Sequence, residues 1–441
     1  MGKLLILKQR TTKKFVYPSW WTWIDAPITI WSNRRQFFTD FDVANYKNTG
    51  GKNIYVSPSG LSTNDGLTEV TAKNNLATAY TIAGDGDTII YLDGIYKRPG
   101  IGTLTAIEKS INIIAKNKGK AIFIVGDVHV YTKTAEYTNI YQTTRSSTHK
   151  VIDISMLSQG VTKELKLVPS LVLCDVEEGT WYTDGVTCYV HAFGNKVPDN
   201  ENTAITLQVQ TIFYSQSNLS NHNLYLEGLV TIGGMKGSVT VENTVAYPTP
   251  SLFIKDCDFR YGFNLTSDPT YANGINVLGC EFVFSQNVKC LNARKDGFNY
   301  HMKNGTIPKF IEINCDGSGC GENVVGTGWT DNTYNGSTAH DGVKGIRING
   351  HYAHNVGANV ADVMTDTETL CLGCIAHNSA STDSTMYNSD FSTQQAGAKM
   401  LLENCASYGS LYSLAYYTGS FMYVKNTQYQ RKVGGGSIVF S

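Results

Sequence analysis

Short segments of alternating apolar and polar residues recur through the second half of the chain. Each is followed by a polar residue or Gly and then by a small or turn residue. The segments begin at residues 223, 251, 274, 309, 345, 368, 399 and 421. Alternation with a period of two predicts strands, and a repeat of roughly 22–36 residues predicts the coils of a β-solenoid. The pattern therefore predicts an all-β fold of stacked coils.

One position of this repeat is rich in cysteine. It holds Leu229, Cys257, Cys280, Cys315, His351, Cys374, Cys405 and Thr427. Free Cys behaves as a small buried hydrophobe, so we expect an inert internal stack, with His351 as a buried member of it. The Cys371 and Cys374 pair has no second Cys or His pair nearby to complete a zinc site. Cysteine usage of this kind is typical of synthesis in a reducing cytoplasm.

The beginning of the repeat region has its own signature. A strand at Ile54–Val56 precedes an Asn-Asp-Gly turn, a short helix over 76–83, a strand over 86–92 and the tripeptide Gly94-Ile95-Tyr96. This order resembles the first coil of right-handed parallel β-helices of the pectate-lyase-like superfamily, in which the helix covers the open end of the coil stack. An uncovered coil is an exposed sheet edge that invites aggregation. The resemblance spans roughly residues 53–441 and implies a right-handed parallel β-helix with an N-terminal capping helix.

Residues 1–50 differ in composition from the rest. Up to Phe38 they hold seven basic residues and one acid, together with four of the six Trp. Such a segment is either an arm whose aromatics pack on the main domain or a docking segment, since Trp and Arg are enriched at interfaces. We divide the chain into a docking arm over 1–50 and a β-helix over 51–441. A hairpin outgrowth is expected over about 171–194, around the Asp184-Gly185 turn.

Charge and length exclude several functions. The 441 residues hold 36 Lys and Arg against 37 Asp and Glu, so there is no overall basic character for nucleic-acid binding. Apolar runs such as 121–125 are too short to span a bilayer. The first residues lack the apolar core and cleavage site of a signal peptide. No metal or cofactor is predicted, since calcium-loop spacing is missing around Asp65 and Asp87.

Candidate chemistry concentrates between residues 292 and 366, where the coil spacing is longest and the His residues cluster. His and carboxylates in one band suit general acid–base work on a glycosidic bond, although Asp-Gly and Asn-Gly pairs also build tight turns. The candidate catalytic residues are Asp296, His301, His340 and Asp341. The candidate substrate-binding residues are Arg294, Tyr300, Lys344, Arg347 and Asp362.

The resemblance also implies a function. A basic aromatic arm, the missing signal peptide and the cytoplasmic cysteine usage make the chain similar to a phage tailspike or related virion protein. This implies a virion (phage tail) protein made in the host cytoplasm that binds, and cleaves, a bacterial surface polysaccharide. Its partners would be other tail proteins, reached through the arm, and two further copies in a homotrimer. Two alternatives stay open: a non-enzymatic virion protein that binds a receptor or serves a structural role, and a cellular polysaccharide lyase or glycoside hydrolase.

Overall fold

The structure is a computed structural model that describes residues 12–33, 35–98, 106–146, 148–207, 211–217, 221–244, 249–263, 272–321, 334–382 and 385–440. Within these residues the coils build three long parallel sheets of twelve, nine and nine strands, called here sheets 1, 2 and 3. Each complete coil runs from sheet 1 to sheet 2 to sheet 3. The chain folds as a right-handed parallel β-helix, as predicted.

The strands of the three sheets are short, as the alternating segments predict. Sheet 1 consists of Asn53–Val56, Thr88–Tyr91, Ile111–Ala115, His222–Glu227, Pro250–Lys255, Phe282–Gln286, Lys309–Ile313, Lys344–Ile348, Glu368–Leu372, Lys399–Glu403, Phe421–Lys425 and Ser437–Phe440. Sheet 2 consists of Gly94–Arg98, Ala121–Asp127, Leu229–Ile232, Asp258–Arg260, Lys289–Leu291, Asp316–Ser318, His351–Ala353, Ile375–His377 and Ala406–Tyr408. Sheet 3 consists of Phe213–Ser217, Gly237–Asn243, Asn273–Leu278, Phe298–His301, Ser337–Ala339, Val360–Val363, Ser389–Gln394, Tyr412–Tyr416 and Lys432–Gly434.

The first coil is closed by the helix Leu76–Ile82, at the place the sequence predicts. The side chain of Asn75 accepts a hydrogen bond from the N–H of Thr78 at 2.9 Å and so satisfies one free amide at the helix start. Leu76 and Ala79 are buried against the first strands of sheet 1. The helix therefore covers the apolar end of the coil stack.

A sharp corner joins sheet 1 to sheet 2 and explains the cysteine repeat. One residue with positive φ makes the turn, such as Asp256 or Asn314, and the next side chain points into the coil. Four coils hold a Cys at this inward position, namely Cys257, Cys315, Cys374 and Cys405, and two others hold Leu229 and Val288. All ten cysteines are buried and free.

Two members of the predicted column lie elsewhere. Cys280 follows Gly279, which has φ +71, at the corner between sheets 3 and 1, so a different corner produces the same sequence pattern. The residue in register with Cys315 and Cys374 is Gly350, and His351 is the next residue along. His351 therefore faces outward with 43% of its side chain exposed, and the expectation of a buried His351 is wrong.

Residues 12–50 lie along the outer face of sheet 1. They contain the strands Lys13–Lys14, Ile30–Ser32 and Phe37–Thr39 and a 3₁₀ turn, Val43–Tyr46. Their aromatic side chains cover an apolar column of sheet 1 that runs from Tyr225 to Tyr423. Trp21 and Trp23 are each 2% exposed. The described part of the predicted docking arm thus covers the β-helix: Trp21 and Trp23 are buried in this contact, while Trp20 and Trp31 are half-buried.

An outgrowth interrupts the coil between Ala121–Asp127 and Phe213–Ser217. It holds the strands Thr132–Lys133, Tyr141–Thr144, Thr148–Asp153, Lys163–Glu164, Lys166–Leu167, Thr180–Thr183, Thr187–His191 and Thr203–Leu207, the helix Leu171–Val176 and the 3₁₀ turns Leu157–Gln159 and Phe193–Asn195. The hairpin around Asp184-Gly185 is one part of it. Gly160 O accepts a 2.7 Å hydrogen bond from Arg260 of sheet 2, so the outgrowth rests on that sheet. In the described part of the chain no helix is long and apolar enough to cross a membrane.

Candidate functional site

The outer face of sheet 3 carries a row of polar side chains. Along each strand, side chains alternate between the coil interior and the outer face, so apolar neighbours such as Ile275 and Phe298 point inward. The outward side chains of Asn276, Asn299 and Thr338 are in register on three adjacent strands. All three are at most 3% exposed, although they face away from the core. The Nδ2 of Asn276 and the Oδ1 of Asn299 have no hydrogen-bond partner among the described residues.

Asp296 stands at the start of this row, just before the strand Phe298–His301. Its N–H donates to Asn273 Oδ1 at 3.0 Å, and its own Oδ1 accepts from the N–H of Asn335 at 2.6 Å. Asn299 Nδ2 donates to Asp296 Oδ2 at 2.5 Å. Burial raises the pKa of Asp296 to about 6, against the pull of these donors. Asp296 is therefore a carboxyl group that retains a proton at mildly acidic pH.

His301, His340 and Asp341 lie together where sheet 3 turns towards sheet 1. His301 Nδ1 donates to Asp341 Oδ2 at 3.1 Å, and the two side chains are 25% and 20% exposed. This hydrogen bond lowers the pKa of Asp341 below its ordinary value. The ring of His340 stacks on that of His301 with centroids 3.9 Å apart. Burial, together with the positive field of His301, lowers the pKa of His340 to about 3, so this ring is neutral at any working pH.

Glu242 is a further acidic residue on this face, and it was not among the sequence candidates. It shares an outward register position with Leu278 and His301 on neighbouring strands. Burial raises its pKa, but hydrogen bonds from Lys303 and from Tyr214 Oη lower it overall, so Glu242 is ionised. Its sequence signal is the alternation of Thr240 and Glu242 with apolar residues, outside the His-rich stretch.

Three of the predicted substrate-binding residues lie inside the coil. Tyr300, Arg347 and Asp362 are fully buried. Tyr300 Oη donates to Glu312 Oε1 at 3.0 Å, and Arg347 Nη1 donates to Asp362 Oδ1 at 3.3 Å. Arg347 Nε also donates to Ser337 Oγ at 2.9 Å. They form an internal polar network that a polymer on the outer surface cannot contact, which corrects the expectation that they bind substrate.

The two remaining candidate substrate-binding residues, Arg294 and Lys344, lie outside the polar row on sheet 3. Arg294 is 4% exposed at the corner between sheets 2 and 3, and its guanidinium lies 5.1 Å from the ring centroid of Phe263. Lys344 is on the outer edge of sheet 1, where its Nζ is 3.5 Å from Glu368. Glu368 also accepts hydrogen bonds from Thr22 of the covering segment. Lys344 is thus part of the contact between that segment and sheet 1, and not of the row on sheet 3.

Of the nine candidates, the structure therefore brings Asp296, His301, His340 and Asp341 to the outer face and rim of sheet 3. Among the described residues, no three His, Cys, Asp or Glu side chains are grouped so that they could hold a metal ion. Two carboxyl groups with opposite pKa shifts on one face are a combination that can supply an acid and an ionised carboxylate at the same pH.

Comparison with known proteins supports the architecture. No protein-family model matches the chain, and no curated protein matches it. A solved structure described as a glycoside hydrolase is 11% identical, with a TM-score of 0.60, over 88% of this chain and 96% of that one. The complex of XylC with xylose is 10% identical, with a TM-score of 0.48, over 88% of this chain and 68% of that one. The tailspike of Pseudomonas phage LKA1 is 13% identical, with a TM-score of 0.24, over 82% of this chain and 70% of that one. The likeness to the first of these structures supports the fold described above.

Proposed function

We propose that the protein binds a polysaccharide along the outer face of sheet 3 and hydrolyses it there. The observation that carries the proposal is the pair of carboxyl groups on this face whose pKa values are pushed apart. The pKa of Asp296 is raised to about 6 by burial, and that of Asp341 is lowered by His301. Asp296 lies at the start of the strand Phe298–His301, and Asp341 lies just beyond the end of the neighbouring strand Ser337–Ala339, so the two carboxyl groups stand at the two ends of the row. Glycoside hydrolysis uses one protonated and one ionised carboxyl group.

Each residue then has a distinct role. Asp296 is the general acid that protonates the oxygen of the leaving sugar. Asp341 is the ionised carboxylate, and the hydrogen bond from His301 holds it in place. Asn299, which donates from Nδ2 to Asp296 Oδ2, holds the carboxyl group of Asp296 in place. Neutral His340 stacks on His301 and fixes the orientation of its ring.

Hydrolysis fits this site better than elimination. A lyase needs a base that removes a proton beside a uronic-acid carboxylate. With its pKa lowered to about 3, His340 is a weak base. Arg294 and Lys344, the cationic candidates, lie outside the row, at a corner and on sheet 1.

Binding without cleavage is the second candidate function. The carboxylate of Asp296 already receives hydrogen bonds from Asn299 and from both nitrogens of Asn335. A carboxylate with a purely structural role, which connects neighbouring coils through hydrogen bonds, would make the same contacts. The protein would then use sheet 3 as a recognition surface.

The test is cleavage of a panel of purified capsular, lipopolysaccharide and plant glycans, measured by new reducing ends and by the ultraviolet absorbance of unsaturated products. We expect reducing ends without unsaturation, and a rate about 10²–10⁴ lower in Asp296→Asn and in Asp341→Asn. Asp25→Asn, an exposed carboxylate outside sheet 3, is the matched control. Full activity in both variants on a glycan that the parent cuts would refute the assignment. Binding to a glycan that is never cut would establish the second function.

The virion setting remains part of the proposal. Ten free, buried cysteines agree with synthesis in a reducing compartment. The part of the arm over residues 12–50 lies on sheet 1, so docking to another tail protein would use its outward side, where Val16 and Ile24 are exposed. Size measurement of the purified protein by light scattering tests the predicted homotrimer, which a monomeric mass would rule out.

A further inference from the structure

A second groove lies over the outer face of sheet 2, away from the row on sheet 3. It has a volume of about 620 Å³, within the usual range for ligand sites. One side is formed by Leu157, Ser158 and Gly160 of the outgrowth, and its floor by outward side chains of sheet 2. Those floor residues come from successive coils, and they are Val230, Asp258, Lys289, Asp316 and His351.

Every carboxylate in the groove has a basic partner. His351 Nδ1 lies 3.2 Å from Asp316 Oδ1, and this contact raises the pKa of His351. The guanidinium of Arg260 makes two hydrogen bonds to Asp258, at 2.7 and 2.6 Å. The third pair is Lys118 and Asp256, at 2.8 Å. Asp258 and Asp256 are therefore neutralised by Arg260 and Lys118, and Asp316 is paired with His351.

Two lysines in the groove are not part of these pairs. Lys120 at the lower end and Lys289 in the middle are exposed, and the described residues offer neither of them an ion-pair partner. Lys289 is in register between Asp258 and Asp316, which are already paired. The groove consequently carries a net positive charge, in a chain whose formal net charge is -1.

The other residues that line the groove include apolar side chains and asparagines, which are common in sugar-binding sites. Leu157 and Val230 supply apolar surface for the C–H faces of a sugar ring. Asn287, Asn314 and Asn349 line the groove at the corner with sheet 1. From Lys120 to His351 the groove follows six neighbouring strands, a length of roughly 24 Å at the usual strand spacing. An extended ligand with separated anionic groups matches this length better than a single small anion.

We propose that this groove binds an acidic oligosaccharide segment, with Lys120 and Lys289 holding anionic groups of the sugar. The anionic group is a carboxylate or a sulfate, which share this chemistry. The site does not depend on cleavage at sheet 3, and it would hold an acidic glycan whether or not that glycan is cut.

The test is calorimetric titration of the full chain with three defined probes: an oligogalacturonate, a sulfated chondroitin oligosaccharide and neutral xylo-oligosaccharide. The variants are Lys120→Gln with Lys289→Gln, and Lys52→Gln as an exposed control outside the groove. We expect at least one acidic probe to bind, roughly tenfold more weakly in the double variant and unchanged in the control. We also expect the affinity to fall with added salt. The oligogalacturonate carries carboxylates alone and the chondroitin oligosaccharide carries both carboxylates and sulfates, so binding of the second probe only would indicate sulfate recognition.

Three results would overturn the proposal: no binding of either acidic probe, equal binding of the neutral probe, or affinity unchanged in the double variant. Asn299→Ala on sheet 3 distinguishes the two faces. Loss of acidic-probe binding in that variant, with none in the lysine variant, would place recognition on sheet 3. Absence of cleavage with intact lysine-dependent binding would count against the proposed hydrolysis alone.

Discussion

The raised pKa of Asp296 has a consequence for stability that can be measured without knowing the substrate. The pKa of this carboxyl is about 6 in the folded protein, against an ordinary value of 3.8. The folded state therefore binds the proton more tightly than the unfolded state, and stability falls as pH rises between these two values. The difference corresponds to about 3 kcal/mol lost by pH 7.

The perturbation is Asp296→Asn, which keeps the shape and removes the charge. The new amide can donate to Asn299, whose Oδ1 has no partner among the described residues, once the Asn299 amide turns over. We expect the variant to match the parent at pH 4 and to exceed it by up to about 3 kcal/mol at pH 8. For a chain of 441 residues this is a rise of roughly 3 °C in Tm.

The assay is thermal and urea unfolding of parent and variant from pH 4 to 8 at one scan rate. Asp341→Asn is the control of opposite sign, because the pKa of Asp341 is lowered and its ionised form stabilises the fold at neutral pH. A difference between Asp296→Asn and the parent that is constant across this range would show that Asp296 titrates normally. It would then not be held protonated as an acid, and the proposed mechanism would lose its first step.

Three further outcomes test the architecture. Trp21→Ala should cost about 3–5 kcal/mol in urea unfolding, because this side chain is 2% exposed against sheet 1; an unchanged midpoint would show that residues 12–50 are not part of the core. Arg347→Met should cost about 3–5 kcal/mol at pH 7 and less at pH 5, where Asp362, whose pKa is already about 6, takes up a proton; equal losses at both pH values would contradict the buried ion pair. All ten cysteines should resist thiol reagents in the native state, since they are buried, and burial raises the pKa of Cys188 to about 12; rapid labelling of several would refute the coil register.

The coil repeat could be predicted because its corner imposes a local rule. A residue with positive φ is followed by a side chain that points into the coil, and Asn314-Cys315 and Asn404-Cys405 both show this pattern in the sequence. Gly279-Cys280 shows the same pattern, but at the corner between sheets 3 and 1. The local sequence is the same at both corners, so the predicted register was wrong at Cys280.

It was harder to predict which candidate side chains point into the coil and which point to its outer face, for two reasons. Tyr300 lies between Asn299 and His301 and so must point the opposite way, which strand alternation would have indicated once the register was known. In the strand Lys344–Ile348 the usual inference fails, because Ile346 and Ile348 face outward beneath the covering segment and Arg347 faces inward. In a sheet that is buried on both faces, apolar residues occur on both faces, so they do not mark the side that points into the coil.

The segment over residues 12–50 crosses the coils in reverse order. Trp20 stacks on Tyr423 at 5.0 Å, Thr22 bonds Glu368, Val43 bonds Gln286, and Tyr46 stacks on Phe253 at 4.7 Å. Neighbouring coils of a solenoid can form one after another as the chain lengthens.

The segment that leaves the ribosome early can finish packing only when the final coils have been made. Until then, Trp21 and Trp23 and the apolar column that they cover are exposed to water and to other nascent chains. Synthesis therefore passes through an aggregation-prone interval that ends when the two ends of the sequence meet. Once closed, the segment ties the stack lengthwise, so the coils can no longer fray independently of one another.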